Sequence, residues 1–146
     1  MEALTIKNKQ LSKKYWQYVW EKRDLHLAST LLADHMIYSA PRMRVEGKVK
    51  ILEMIQRYMN AFSDSNIMIE DQIAESNKVF TRAMFKGIHS GPLGSMPPTH
   101  KNIKFQLMNV VQIDDGKITH EWEVYDQLGL MQQLGLDLAP REHAHV

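Results

Sequence analysis

The stretch Lys48–Ser90, KVKILEMIQRYMNAFSDSNIMIEDQIAESNKVFTRAMFKGIHS, changes its hydrophobic period midway. Ile51, Ile55, Tyr58, Met59 and Phe62 recur at the spacing of one helix face, which predicts a helix over Lys48–Phe62. It is entered after Gly47 and left at Ser63-Asp64-Ser65-Asn66, a run of turn formers. Beyond that run the period falls to two. Asn66–Ala74 and Lys78–Ser90 alternate and are rich in Ile, Val, Phe and Thr, so they read as strands hinged at Ser76-Asn77.

Working outward, Leu11, Tyr15, Tyr18 and Val19 form one apolar face, predicting a helix over Asn8–Asp24, followed by a shorter one over Leu25–Leu32. The segment MIYSAP, which carries Tyr38, is a short strand, because Pro41 cannot continue a helix and holds Ala40 extended. Downstream, Asn102–Ile113 and Lys117–Asp126 are strands separated by Asp114-Asp115-Gly116, and Leu128–Leu134 is a last short helix. Helices first and strands afterwards predict an α+β fold with an antiparallel sheet. Strands of about 12 residues exceed the usual length and must coil or bulge, so the sheet curves and, wrapped with the N-terminal helices, encloses a cone. The Gly- and Pro-rich segment Gly91–Pro98 is a loop placed to rim its mouth. There is no internal repeat, and the tail, residues 139–146, is expected to fray.

A chain of 146 residues suits one domain spanning residues 1–146. Eighteen Lys and Arg against 17 Asp and Glu leave no field of one sign for nucleic acid or an anionic membrane, so neither is an expected partner. With no cysteine there is neither a disulfide nor a thiolate metal site. The charged start MEALTIKNKQLSKK lacks the apolar stretch of a signal peptide, and no apolar run approaches the roughly 20 residues of a membrane helix. The expected location is cytoplasmic. Seven histidines show no metal-binding helix spacing, and no Gly-rich phosphate cradle or nucleophile elbow is present, so no metal and no cofactor are expected. Ten methionines, adaptable fillers of irregular spaces, slightly favour a pocket.

Uninterrupted alternation in the last strand would put Ile118, His120, Trp122, Val124 and Asp126 on the pocket side and Glu121, Glu123 and Tyr125 outside. A carboxylate beside Trp122 and Val124 would be paired, solvated or unusually easy to protonate, which suits a general base. Two roles stand open for Asp126, that one and the N-cap of the helix behind it. His89 shares the Thr81, Ala83, Phe85, Gly87 side of its strand, where it either bonds a ligand oxygen or closes a strand end. Arg82 has the opposite parity, so the two point into one cavity only across a bulge. Asn109 interrupts an apolar row from Ile103 to Ile113 and needs a polar partner. Tyr38, Phe85, Phe105, Trp122, Asn109 and Arg82 are the candidate substrate-binding residues.

Gly87-Ile-His89-Ser-Gly91, Pro97-Pro98-Thr99, Asp115-Gly116-Lys117-Ile118 and above all the run Glu121–Gly135, EWEVYDQLGLMQQLG, follow one another in an order and spacing that resembles the SnoaL-like polyketide cyclases of the nuclear transport factor 2-like superfamily. The resemblance covers nearly the whole chain. It implies a helix-and-sheet cone and a cofactor-independent ring closure of an aldol kind on a polyketide ester. It also implies that Asp126 is the acid/base and His89 the pocket histidine. The leading expectation is therefore a cyclase-like enzyme acting on a small apolar carbonyl compound. Sequestration of an apolar metabolite without turnover, and a purely structural dimer with a filled cone, are the other readings. A homodimer is expected in each case, because one terminal helix cannot cover the half-apolar convex face.

Overall fold

Glu2–Trp16 form α1, and the chain continues through a wider π-helical turn, Gln17–Glu21, in which Lys22 N donates to Gln17 O at 2.9 Å. Residues 2–137 are described by the computed structural model, so the predicted fraying of the tail lies outside the described residues. The helix starts six residues before its predicted beginning, yet buries Tyr15 and Val19 from the expected face, together with Trp16. Helix α2, Leu25–Ser29, is capped by Asp24, whose Oδ1 accepts from Leu27 N at 3.0 Å. Strand β1, Leu32–Ala40, turns at Pro41-Arg42 into β2, Met43–Glu46, a short edge strand whose exposed residues carry no apolar period to announce it.

Helix α3, Lys48–Ala61, runs straight into β3, Phe62–Glu75. The turn formers after Phe62 do not separate helix from strand. They make a register shift between Ser63 and Asn66, with Asp64 at φ 47°, a conformation that Asp tolerates better than most residues. Strands β4, Lys78–His89, β5, Asn102–Asp114, and β6, Lys117–Tyr125, then complete an antiparallel meander, and α4, Gln127–Gln133, follows.

The six strands form one curved, open sheet in the order β2-β1-β6-β5-β4-β3. The expectation of a wholly antiparallel sheet is corrected at one seam, since β6 returns beside β1 and pairs with it in parallel. Helices α1 and α3 pack against β3, β4 and β1, and α4 against β5. The inner side chains of the sheet and the apolar faces of these helices make one buried cluster. No helix among the described residues is long and apolar enough to cross a membrane.

One irregularity decides which residues face inward. Gln112 pairs with His120 but Ile113 pairs with Ile118, which leaves Thr119 as an extra residue in β6. Ile118 and Thr119 are consequently both buried, and the alternation restarts with its parity inverted. Glu121, Glu123 and Tyr125 therefore face the helices, whereas Trp122 and Val124 lie on the outer face, 39% and 50% exposed. The expected facing of β6 is thus reversed beyond the bulge.

Candidate active site

A cavity of about 100 Å³ lies between the inner face of the sheet and the helices. Its walls are aromatic. Tyr15, Trp16 and Trp20 come from α1 and its π-helical extension, Tyr58 from α3, Phe62 from β3, Phe85 and Phe105 from the centre of the sheet, and Tyr38 and Tyr125 from β1 and β6. Phe85 is the hub of this packing, with its ring centroid 4.7 Å from Trp20, 5.5 Å from Phe62 and 5.0 Å from Phe105. Edge-on and offset contacts at these separations hold the walls in place.

Into this apolar space project two carboxyls, Glu121 and Glu123, neighbours on the inner face of β6. Asn109 Nδ2 donates to Glu121 Oε2 at 3.0 Å, and the Tyr38 hydroxyl donates to Glu123 Oε1 at 2.9 Å. The two carboxyls also lie within hydrogen-bond reach of each other. Burial first, and then the Glu123 charge, hold Glu121 well above the usual carboxylate range; the Asn109 amide only partly opposes this. Burial raises Glu123 as well, while the donors Tyr38 and Glu121 favour its ionised form. Glu121 is therefore the member that holds its proton more tightly, and Glu123 the one whose neighbours favour ionisation. Burial likewise raises Tyr125, to about 12, and Tyr58, so both hydroxyls keep their protons at neutral pH.

The other candidate residues are dispersed. Phe85, Phe105 and Tyr38 line the cavity, and Asn109 stands directly behind it with its buried Oδ1 lacking a partner among the described residues. His89 is fully buried at the end of β4 outside the lining. Its Nδ1 accepts from Thr99 N at 3.1 Å and lies 3.0 Å from Thr99 Oγ1, tying down the Gly/Pro loop that brings Leu93 to the cavity. Burial lowers its pKa and keeps the ring neutral.

Three residues expected to face the pocket do not. Arg82 is on the outer face, 3.2 Å from Glu70, as its parity required. Trp122 stacks on His120 at 4.8 Å on that same face because of the Thr119 bulge. Asp126 is exposed just beyond the strand, where its Oδ1 accepts from Gly129 N at 2.9 Å and caps α4. Conversely, Glu121 and Glu123, expected outside, face the cavity, and a Glu-x-Glu stretch whose Glu123 pairs with the lone Asn109 is the signal of this buried polar set. No group of three or more His, Cys, Asp or Glu among the described residues is placed to hold a metal ion.

An open curved sheet closed by helices over an aromatic cavity is the architecture of the nuclear transport factor 2-like fold. The sequence matches the family described as SnoaL-like polyketide cyclase over residues 10–134, and the chain belongs to that family. No curated protein matches the chain in sequence. Among solved structures, AclR of Streptomyces galilaeus superposes with a TM-score of 0.82 at 20% identity, covering 94% of this chain and 87% of that one. A SnoaL-like protein of Jannaschia sp. CCS1 gives 0.84 at 15% identity over 92% and 96% of the two chains. An LEH-like epoxide hydrolase of M. tuberculosis gives 0.72 at 17% identity over 89% and 90%. At these identities the likeness is one of fold.

Proposed function

We infer that the protein is a cofactor-independent acid/base enzyme of the cyclase or isomerase kind, acting on a small apolar carbonyl compound held in the aromatic cavity. The observation that carries this reading is the Glu121 and Glu123 pair, buried in an apolar site and fixed by Asn109 and Tyr38. A carboxylate stripped of water but facing a ligand is a strong base, and a neutral carboxylic acid beside it is a ready donor.

In the reaction envisaged, Glu123 takes a proton from the carbon alpha to the substrate carbonyl. Electron density then moves to an oxygen or to a second carbonyl carbon, where an aldol bond forms. Glu121 gives its proton to the resulting oxyanion, and the proton held by Glu123 passes across the shared hydrogen bond to restore Glu121. No proton is gained or lost over the cycle. The Tyr58 and Tyr125 hydroxyls stabilise the oxyanion, and the aromatic walls exclude water. Family membership supports chemistry of this class. In this assignment Asp126 holds α4 and His89 holds the loop, and neither touches substrate.

Exchange of alpha hydrogens for solvent deuterium across a panel of small ketones and esters, followed by NMR, tests the reading. Glu123→Gln should lower the exchange rate by about 10²–10⁴, the usual contribution of a positioned base. Asp126→Asn, which keeps a competent cap, should leave it within about twofold. Exchange that survives Glu123→Gln and disappears in a folded Asp126→Asn would overturn the assignment, and binding without exchange would favour sequestration. We also propose that two copies of the chain pair through the outer face of the sheet, where Trp122, Val110, Phe80 and Ile73 make an apolar row across four strands with no helix over it among the described residues.

A further inference from the structure

The cavity's dimensions and charge narrow its ligand, on the understanding that this cavity is the functional site. At about 100 Å³ it is of the same order as the roughly 150 Å³ apolar cavity that takes one benzene, and far below the 300–1,000 Å³ of sites for drug-sized ligands. The walls that set this size are interlocked. Phe85, 1% exposed, cannot move away from the cavity without breaking its ring contacts with Trp20, Phe62 and Phe105, and Phe105 is in turn held 5.3 Å from Tyr125. Widening to admit fused rings would disrupt the centre of the sheet.

Among the described residues, the lining holds no Lys, Arg or His. Its polar groups are two carboxyls, the indole N–H groups of Trp16 and Trp20 and the hydroxyls of tyrosines, of which Tyr15, Tyr58 and Tyr125 have no side-chain hydrogen-bond partner among the described residues. A ligand carboxylate entering this site would lose its water, meet no cation among the described residues and add a third carboxyl to the two already buried there. A neutral ligand with an acceptor oxygen meets donors: the free tyrosine hydroxyls and the protonated member of the pair.

We propose that the natural ligand is an uncharged carbonyl compound no larger than a single ring, and that the Glu121 and Glu123 pair acts as a charge filter that rejects carboxylic acids of the same shape. The filter selects esters, ketones or aldehydes over the corresponding free acids, and the interlocked phenylalanines select one ring over several.

Three aromatic probes of graded charge and size test this without requiring turnover: acetophenone, benzoate and 9,10-anthraquinone at pH 7.5, with binding read by ligand-observed NMR. Acetophenone should bind at least tenfold more tightly than benzoate, and anthraquinone should show no saturable binding. In Glu121→Gln/Glu123→Gln the preference for acetophenone over benzoate should fall at least tenfold. If that double variant fails to fold by circular dichroism, Glu123→Gln alone carries the comparison with a smaller fall in the same direction. Phe85→Leu, which opens the central wall, should let the two-ring 2-acetonaphthone bind where the wild type does not. Benzoate equal to acetophenone, anthraquinone bound as tightly as either, or no binding of acetophenone would each overturn the proposal. A protein that binds with this selectivity but catalyses no exchange refutes only the acid/base reading, whereas exchange confined to multi-ring ketones refutes only this one.

Discussion

At the scale of single residues, the buried carboxyl pair makes stability depend on pH in a definite direction. Glu121 binds its proton more tightly folded than unfolded, because burial and the Glu123 charge oppose its ionisation. The stability associated with that proton is fully present below the unfolded carboxyl pKa of about 4.3 and is lost as pH rises through the raised folded value. Glu121→Gln cannot ionise, and its amide can still accept from Asn109. It should therefore be more stable than the wild type at pH 8, by about 1.4 kcal/mol for each unit of elevation it relieves, with the advantage vanishing near pH 4. Urea midpoints at the two pH values measure this, and a variant less stable at pH 8 would show that Glu121 is held ionised. The residues that were legible in the sequence, Phe85, Phe105 and Asn109, sit on β4 and β5, which pair with each other without a register break. Those misplaced, Trp122, Glu121 and Glu123, all follow the Thr119 bulge, whose backbone choice has no side-chain signature such as Gly or Pro.

Among the elements, α1 with its π-helical extension contributes more to the cavity than its sequence pattern promised. Its apolar face was evident from Leu11, Tyr15, Tyr18 and Val19, but periodicity cannot tell a helix that fills a core from one that walls a cavity. The π-helical turn at Gln17–Glu21 lies where Val19 and Trp20 join Tyr15 and Trp16 in the lining. Two of the chain's three tryptophans thus border the ligand space, while Trp122 stands on the opposite side of the sheet. A ligand such as acetophenone should accordingly quench tryptophan emission. Trp16→Phe and Trp20→Phe together should remove most of that response, and Trp122→Phe should leave it intact. Quenching that survives in the double variant and disappears with Trp122→Phe would place the ligand on the outer face. The other element-level differences have similar causes. Strand β2 is too short and exposed to show a period, and the parallel seam between β1 and β6 pairs residues as far apart as Leu32 and Ile118, which no local pattern records.

Among the described residues the molecule is asymmetric about its sheet, with the helices on one face and none covering the apolar row on the other. Strands about 4.8 Å apart and roughly nine residues long give a six-stranded sheet a face on the order of 800 Å², the area each partner contributes to a standard stable interface. The centre of this face is apolar in register: Trp122 lies opposite Val110, Val110 opposite Phe80, and Phe80 opposite Ile73, with Met108 and Val124 alongside. Its polar groups are placed off that centre or are already paired, as in Arg82 with Glu70 at 3.2 Å and Lys78 over the Trp122 ring at 5.9 Å. An isologous pair would bring one such row against its copy, burying tryptophan and valine at the centre. Sedimentation equilibrium at micromolar concentration should thus report a dimer. Trp122→Glu should shift it to monomer while sparing the fold and the cavity, because this side chain is part-exposed and touches neither the core cluster nor the lining. The two carboxylates introduced at the symmetric centre would replace apolar contact with charge, relieved only by Lys78 beside each, and loss of about 2 kcal/mol or more at such a position is typical of a central aromatic anchor. A wild-type chain that sediments as a monomer, or a Trp122→Glu variant that remains dimeric, would remove the outer face from the assembly and leave its apolar row to some other role.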